Sequence, residues 1–269
     1  MANKRFCTVC GKEKEQCKTG FGNIMVYIEC ECERKLREER EKRDTEFALR
    51  TAAELRNKSS NLSLLGCKAS FKTAVEDEYN EVALKGGKYL LNKLLHNIND
   101  DKKNGLLLYG NRGSGKTYVA CAVINDYNSQ APLNEAQKEK IIKERSYGFS
   151  FEHLTPVKSP CKFVTEMDLY SLYFDKYNHF KPDGAAEEFR RAEKLLVIDD
   201  VGTLTYEKSR IQAMYLNIID YRYSQGLSTI ITTNLTKDEL SKYLGDRTFD
   251  RLNACCYFVD LTSPESRRG

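Results

Sequence analysis

The sequence lacks both a long apolar run and a strong excess of charge of one sign. No segment approaches the roughly 18 consecutive apolar residues of a membrane-spanning helix, and the mean hydropathy is −0.59. The first residues, Met1 to Cys7, contain no apolar leader. These absences exclude membrane-embedded classes, and they predict a soluble, cytoplasmic protein without a membrane partner.

The net charge of +4 is small for a chain of 269 residues. The basic excess lies in residues 1–60, which hold 14 Lys/Arg and 11 Asp/Glu. Phosphate contacts require local clusters rather than bulk charge, so composition leaves nucleic-acid binding open. The length is sufficient for one large core and a small additional module.

Cysteine is the residue type whose placement is most uneven. Five of the ten cysteines fall within residues 7–32, and a chain without a leader is not expected to form disulfides. Cys7 and Cys10 form a CxxC pair followed by glycine, and Cys30 and Cys32 form a second, tighter pair. These four thiolates predict a tetrahedral structural zinc site, with residues 11–29 as the intervening loop.

Three alternatives accompany the zinc prediction. Cys17 is a fifth candidate ligand or a free thiol. A redox CxxC would open a helix in a thioredoxin-like unit, which the pattern does not indicate. A chance grouping of cysteines is disfavoured, since so short a segment could hardly build a core without a metal.

Residues 33–58 predict a long, highly charged helix that ends at the Ser59-Ser60-Asn61 sequence. Its first half is almost entirely charged, which is typical of a solvated linker helix. A partner-docking arm would have the same composition. The sequence does not choose between the two.

The stretch from Gly110 to Thr117 matches G-x-x-x-x-G-K-[ST], the phosphate-binding loop of nucleotide hydrolases. A buried strand is predicted before it at 105–109 and a helix after it at 117–127, the context that the motif requires. Lys116 would reach the β- and γ-phosphates, and the Thr117 hydroxyl would bind Mg²⁺. The predicted nucleotide-binding residues are Gly110, Asn111, Arg112, Gly113, Ser114, Gly115, Lys116, Thr117 and Tyr118.

A second signal is the apolar strand 195–198, which is followed directly by Asp199 and Asp200. Ligands of open α/β sheets bind at the carboxyl ends of the strands. Asp199 would therefore hold Mg²⁺, and Asp200 would orient and deprotonate the attacking water. An acidic turn after a strand is the alternative.

Asn234 follows a β-branched strand at 228–233 and would stand near the γ-phosphate. The alternative is an asparagine that merely forms a turn. Further predicted elements are a helix within 79–98 interrupted at Gly86-Gly87, a polar insertion at 129–160 that is helical at 134–145, a strand at 163–165, and helices at 168–177 and 207–224.

With these motifs, the chain resembles the helicase loaders of the DnaC/DnaI type, which are bacterial and phage AAA+ ATPases and share their core with IstB. The resemblance rests on GNRGSGKT, LLVIDDVG, IIDYRYSQGLSTIITTNL and GDRTFDRL. It covers about residues 60–269, and the Cys-rich start looks like the zinc-bearing domain of DnaI-like and phage loaders. It implies an α/β AAA+ P-loop core, a parallel sheet flanked by helices and no helical lid, preceded by a zinc module with a charged helix. The implied domains are 1–60 and 61–269.

The resemblance also implies roles for single residues. Lys116 and Thr117 match the Walker A positions, Asp199 and Asp200 the Walker B positions, and Asn234 matches sensor 1. Asp200 stands where most AAA+ proteins have glutamate, although DnaI-like members often have aspartate.

Two arginines complete the implied site. Arg251, in FDRL, matches an arginine finger that acts on a neighbouring subunit, and Arg268 matches sensor 2. Arg267 stands where an aromatic residue is usual, which leaves the choice between Arg267 and Arg268 open. The segment from 163 to 177 lies where loaders carry a DNA-facing helix.

The function implied by the resemblance is ATP-dependent loading of a hexameric replicative helicase onto single-stranded DNA. The implied cofactors are ATP, Mg²⁺ and Zn²⁺; the zinc module would grip the helicase, and the chain would self-associate through its ATP sites. One alternative is an IstB-like transposition ATPase that acts on duplex DNA. The other is an adaptor protein that ATP regulates without essential hydrolysis.

Overall fold

The structure is a computed structural model that describes residues 5–18, 25–62, 68–98, 103–146, 157–174 and 184–264. The chain divides into two units, Met1–Thr51 with Leu133–Leu154 and Ala52–Pro132 with Thr155–Gly269. The predicted functional division into residues 1–60 and 61–269 stays a prediction. Within the described residues, no helix combines the length and apolar character needed to cross a membrane.

The first unit begins with a small antiparallel hairpin. Strand β1 (Gln16–Lys18) pairs with β2 (Met25–Tyr27), with Cys17 opposite Val26. Backbone pairing therefore orders part of the segment 11–29, which the sequence predicts as the intervening loop between the two cysteine pairs. Helix α1 (Glu31–Ser59) follows and confirms the predicted charged helix.

Charge pairs one turn apart support the exposed first half of α1. Lys35 lies 2.9 Å from Glu31, and Arg37 lies 3.1 Å from Glu41. Such exposed pairs contribute little to stability, because water screens the attraction between their charges. The division between the two units falls inside this helix, after Thr51. The first unit also contains α4 (Glu135–Ser146), which confirms the helix predicted in the insertion.

A five-stranded, all-parallel sheet organises the second unit. Its strands are β3 (Gly105–Tyr109), β4 (Cys161–Thr165), β5 (Leu195–Val201), β6 (Ser228–Thr233) and β7 (Cys256–Asp260), in the order β4-β5-β6-β3-β7. The central strands are almost entirely buried, as is typical of parallel sheets covered on both faces. This confirms the predicted α/β fold.

Helices cover both faces of the sheet. They are α2 (Glu81–His96), α3 (Lys116–Gln130), α5 (Glu166–Tyr173), α6 (Gly184–Arg190), α7 (Lys208–Ser224), α8 (Lys237–Leu244) and α9 (Asp246–Cys255). Leu106 and Leu108 of β3 belong to a core with α2 and α3, whereas Leu107 belongs to a second core with α5, α7, α8 and α9. Alternate strand residues therefore join opposite layers.

The predicted interruption of a helix at Gly86-Gly87 is wrong, because α2 runs continuously through both glycines. A Cβ at Gly87 would lie 2.6 Å from Cζ of Phe71 and 3.1 Å from Cγ1 of Val119. The glycine thus permits a close approach of neighbouring side chains, and tertiary packing offsets its weak helix propensity.

Helix α5 differs from the prediction at both ends. It starts at Glu166 because Thr165 caps it, accepting a hydrogen bond from the backbone N–H of Asp168 at 3.2 Å. It ends at Tyr173, and Phe174 is extended. Residues 175–177 of the predicted helix lie outside the described residues, as do residues 147–156 of the predicted insertion.

Candidate nucleotide-binding site and cysteine cluster

The loop between β3 and α3 has the backbone shape that its glycines predict. Gly110 and Gly115 have φ angles of 138° and 97°, a region that favours glycine. A Cβ at Gly110 would lie 2.7 Å from the backbone N of Thr262, so this position also tolerates no side chain. The loop leads directly into the N-terminus of α3, where backbone N–H groups and the helix dipole favour an anion.

Lys116 is buried at the centre of this loop. Its Nζ donates to the carbonyls of Gly110 at 2.9 Å and Asn111 at 2.7 Å, and to the Ser114 hydroxyl at 3.3 Å. The loop itself therefore positions the ammonium group. A cation among inward-facing N–H groups is suited to phosphate oxygens.

Thr117 and Asp199 meet across 82 positions of sequence. The Thr117 hydroxyl donates to Oδ1 of Asp199 at 2.9 Å, and the Thr232 hydroxyl on β6 donates to the same oxygen at 2.6 Å. Burial raises the pKa of Asp199 above its ordinary value, and the charge of Asp200 acts in the same direction, while the two hydroxyls oppose them. One hydroxyl and one carboxylate are hard oxygen donors, so the pair fits Mg²⁺.

Asp200 has an unusual backbone for a residue with a side chain. Its φ is 57°, the register between β5 and β6 shifts beside it, and its N–H donates to the Thr232 hydroxyl at 3.0 Å. Aspartate tolerates the left-handed region better than most residues. The bend turns the exposed Asp200 away from its buried neighbour and into the cavity above the phosphate-binding loop.

The cavity has a volume of about 580 Å³. Eight of the predicted site residues line it, among them Asn234, which follows β6, and Tyr118 on α3. The predicted residues that line it are Arg112, Gly113, Gly115, Lys116, Thr117, Tyr118, Asp200 and Asn234. Their roles toward a nucleotide stay predictions.

A second wall of the cavity was missed by sequence reasoning. Thr73, Ala74, Val75, Asn80 and Leu84 line it. The segment is anchored to α3, since Asp126 accepts from the Ser70 hydroxyl at 2.7 Å and from the N–H of Phe71 at 3.0 Å. Tyr118 reinforces the anchor by donating to the Ser70 carbonyl at 2.9 Å. No local pattern marks these residues, because only the fold places them beside the loop.

Of the two arginines predicted to complete the site, the structure describes only Arg251. Arg251 lies on α9, with its Nε 3.2 Å from Oδ1 of Asp220 and its guanidinium 4.9 Å from the Tyr223 ring centroid. It is not among the described residues that line the cavity. Arg268, like Arg267, lies outside the described residues.

Thiols cluster separately in the first unit. The sulfurs of Cys7, Cys10 and Cys30 lie within 4.8 Å of one another, and Cys10 Sγ is 3.6 Å from Cys30 Sγ. The fourth predicted ligand, Cys32, is not part of this three-sulfur group among the described residues, although hydrogen bonds with Cys10 and Cys30 raise its pKa to about 11. Tetrahedral zinc with bonds of about 2.3 Å separates its sulfurs by about 3.8 Å, so the group fits.

Two further observations concern the alternatives for this cluster. The Cys7 sulfur accepts backbone N–H groups of Val9 and Cys10, both at 3.4 Å, in a turn rather than at the start of a helix. Cys17 is exposed on β1 and is not part of the cluster among the described residues. The geometry of the three thiols is compatible with a metal ion, and zinc binding stays a proposal.

Comparison with known proteins bears on the second unit. Residues 163–268 match the family described as IstB-like ATP binding protein. No curated protein sequence matches the chain. A crystal structure of DnaI has a similar fold, with a TM-score of 0.52 and 20% identity, over 75% of this chain and 92% of that chain.

Two other solved structures are similar at lower TM-scores. The DnaC helicase loader has a TM-score of 0.48 and 20% identity, over 71% of this chain and 96% of that chain. AMPPCP-bound DnaA from Aquifex aeolicus has a TM-score of 0.48 and 19% identity, over 75% and 52%. The family match and the DnaI fold agree with the predicted resemblance: residues 163–268 match an IstB-like ATP-binding region, and the chain has a fold similar to that of DnaI.

Proposed function

We propose that this AAA+ chain hydrolyses ATP with Mg²⁺ and uses the cycle to load a hexameric helicase onto single-stranded DNA. The observation that carries the first part is that the phosphate-binding loop contacts Asp199 through Thr117 and shares one cavity with Asp200. Lys116 would hold the β- and γ-phosphates, while Thr117 and Asp199 would hold the metal ion. Mg²⁺, when bound, would neutralise charge that develops on the phosphates.

The remaining roles follow from position. Asp200 is exposed to the cavity and would orient the attacking water and accept its proton. The Asn234 amide would hydrogen-bond the γ-phosphate or that water. Arg251 of a neighbouring subunit would stabilise the transferring phosphoryl group. Arg268 is kept as the sensor 2 candidate.

The test of hydrolysis compares wild type with Asp200→Asn. We expect phosphate release to fall by about a hundredfold or more, since general-base groups contribute factors of about 10²–10⁴. The Kd for a fluorescent ATP analogue should change by less than about threefold, because Asp200 does not hold phosphate. Asp250→Asn, at an exposed carboxylate on α9, is the matched control. Full turnover by Asp200→Asn would overturn the assignment, and absence of nucleotide binding by wild type would overturn the function.

The loader part of the proposal is supported by the DnaI-like fold together with the cysteine cluster that precedes it. In the proposed arrangement, residues 1–60 grip the helicase, and residues 61–269 assemble side by side and contact DNA. Zinc would hold the cysteine turns in place. Co-elution with a hexameric replicative helicase, lost in Cys7→Ser, would support this division of labour, while equal co-elution of the variant would contradict it.

A stack of aromatic rings supports contact with single-stranded DNA. Tyr170 of α5 stacks on Phe174 at 4.5 Å and on Tyr206 at 4.4 Å between centroids. Tyr206 ends the stack and is 45% exposed. Met167, which lies on α5 with Tyr170, is also exposed. An exposed ring supported from behind is suited to stack with an unpaired base.

The second candidate function is an IstB-like transposition ATPase, which the family match favours. Fluorescence anisotropy with single-stranded and duplex oligonucleotides of equal length distinguishes it from the loader. The measurements require ATP, ADP and no nucleotide at one salt concentration, because affinity depends on salt. ATP-dependent preference for single strands supports the loader, preference for duplex supports the transposition ATPase, and no DNA binding supports an adaptor directed at proteins.

A further inference from the structure

A buried carboxylate outside the predicted site organises the turn that follows Asp200. Glu166, the first residue of α5, is 1% exposed. Its Oε2 accepts the backbone N–H groups of Gly202 at 2.9 Å, Thr203 at 2.8 Å and Leu204 at 3.2 Å, and the Thr203 hydroxyl at 3.1 Å. Successive N–H groups around one oxygen form an anion-binding turn.

The other oxygen of Glu166 is held from the opposite side. Oε1 accepts the hydroxyls of Tyr215 on α7 at 2.7 Å and Tyr243 on α8 at 2.9 Å. Burial, followed by the charge of Glu166, raises the pKa of both tyrosines, so both hydroxyls stay protonated and donate. In the described part of the chain the carboxylate forms no ion pair, and neutral donors from three segments satisfy it.

The turn held by Glu166 has little other freedom. Gly202 has a φ of 100°, and a Cβ there would lie 2.5 Å from Cδ1 of Leu235. On the β6 side, the Thr233 hydroxyl donates to the Val201 carbonyl at 2.6 Å. The backbone between Asp200 and Leu204 is therefore fixed by β6 on one side and by Glu166 on the other.

We infer that Glu166 is a positioning residue for ATP hydrolysis: it holds the turn 202–204 so that Asp200 and Thr203 face the nucleotide cavity. This inference rests on the proposed function. Glu166 itself does not line the cavity among the described residues, so it would act on turnover rather than on nucleotide binding. A misplaced catalytic group lowers the rate steeply even when substrate binding is intact.

The variants Glu166→Ala and Glu166→Gln separate positioning from packing. Alanine removes every acceptor, and we expect kcat to fall by about tenfold or more with the Kd for a non-hydrolysable ATP analogue changed less than about threefold. Glutamine keeps one carbonyl oxygen for the turn, and its amide can donate to the tyrosine hydroxyls. It should retain kcat within about threefold of wild type.

A readout independent of turnover accompanies the kinetics. The N–H groups of residues 202–204 should exchange with deuterium faster in Glu166→Ala and at the wild-type rate in Glu166→Gln. Tyr243→Phe is the reserve if alanine prevents folding, since it removes one donor and leaves the turn contacts. It should lower kcat by about twofold to fivefold without changing the Kd.

The outcomes separate the inference from the function on which it rests. No ATP hydrolysis by wild type would overturn the proposed function. Hydrolysis by wild type with an equal kcat for folded Glu166→Ala would overturn the positioning role alone, as would an equal kcat for Tyr243→Phe if alanine does not fold. A loss of nucleotide affinity equal to the loss of kcat would also overturn it, because that pattern indicates general disruption.

Discussion

The burial of Asp199 disfavours its ionised form, whereas its proposed role as a metal ligand requires that form. Asp199 is 5% exposed, and burial is the main cause that raises its pKa. A divalent cation, by contrast, requires the ionised carboxylate. The residue is therefore unfavourable for folding and favourable for the proposed chemistry, a combination common at functional sites.

Asp199→Asn should stabilise the protein when nucleotide and Mg²⁺ are absent. A raised pKa in the folded state means that the wild type loses stability as the pH rises from about the ordinary value of 3.8 through the raised pKa of Asp199. The asparagine amide does not ionise and so has no such loss of stability. The difference in stability between Asp199→Asn and wild type therefore grows over this pH range and is constant above it. Urea denaturation between pH 4.5 and 8 measures the difference.

The same variant should lose Mg²⁺-dependent turnover by roughly a hundredfold or more, because a bound metal ion contributes several kcal/mol of charge stabilisation. Asp250→Asn is again the control and should change neither property. An Asp199→Asn protein that is less stable than wild type at pH 7 would contradict the account of its environment.

Between elements, Arg56 joins the last turn of α1 to the end of α3. Its guanidinium donates to the carbonyls of Asn128 at 3.1 Å, Ala131 at 2.7 Å and Pro132 at 3.0 Å. The Asn128 carbonyl belongs to the last turn of α3, where C=O groups lack a partner within the helix, and Ala131 and Pro132 follow that turn directly. Burial lowers the pKa of Arg56, but five fixed donors suit it to several carbonyls.

Arg56→Ala should lower the free energy of unfolding by about 3 kcal/mol, because buried carbonyls lose charged donors. Arg56→Lys should recover only part of this, since an ammonium cannot match the planar fork of donors. Lys58→Ala, at an exposed position of the same turn, is the control. Urea denaturation measures the free energy of unfolding of each variant. Equal stability of the Arg56→Ala and control variants would contradict the capping role.

The aromatic stack between α5 and the segment before α7 provides a second test at this scale. Tyr206→Ala should weaken binding of a single-stranded oligonucleotide by about 5- to 150-fold, because stacking of one base contributes about 1–3 kcal/mol. Tyr206→Phe keeps the ring and should bind within about twofold of wild type. Anisotropy titrations decide, and equal affinity of the alanine variant would remove Tyr206 from the proposed DNA surface.

For the whole molecule, the cysteine cluster predicts one zinc ion per chain. Cys7→Ser or Cys30→Ser should lose it and unfold the turns around it, since structural zinc contributes about 10–16 kcal/mol of binding free energy to folding. Cys17→Ser should retain the metal. Elemental analysis of purified protein measures the ratio, and a folded, metal-free wild type would contradict the prediction.

Nucleotide binding by the second unit provides the control for metal loss. Among the described residues, those that line its cavity all belong to Ala52–Pro132 and Thr155–Gly269. A cluster variant that loses zinc should therefore keep its Kd for an ATP analogue within about twofold.

Assembly gives the last prediction, which concerns Arg251. Arg251→Ala and Lys116→Ala should each lack ATPase activity, whereas their mixture should recover part of it, because about a quarter of mixed head-to-tail interfaces join two intact halves. Arg247→Ala, on the same helix and also paired with Asp220, is the control and should stay active. A mixture without activity would contradict an arginine that acts across subunits.

Much of the second unit could be predicted because its signals are local. The strand 105–109 is predicted with the bounds that β3 has, and the helix at 207–224 differs from α7 by one residue. Gly86-Gly87 shows the limit, since propensity predicts a break where packing against Phe71 and Val119 maintains a helix. Tertiary contacts override weak local preferences.

The sequence by itself determined the phosphate-binding loop, the paired carboxylates of β5 and the grouping of the N-terminal thiols, because each depends on residue type and short spacing. Only the tertiary structure decided which distant groups complete the cavity. Glu166 contacts partners 36 to 77 positions away, and an acidic residue in a first helical turn is ordinary in sequence. The second cavity wall at 73–84 is likewise not marked by any sequence pattern, since its role depends on contact between elements that are far apart in the chain.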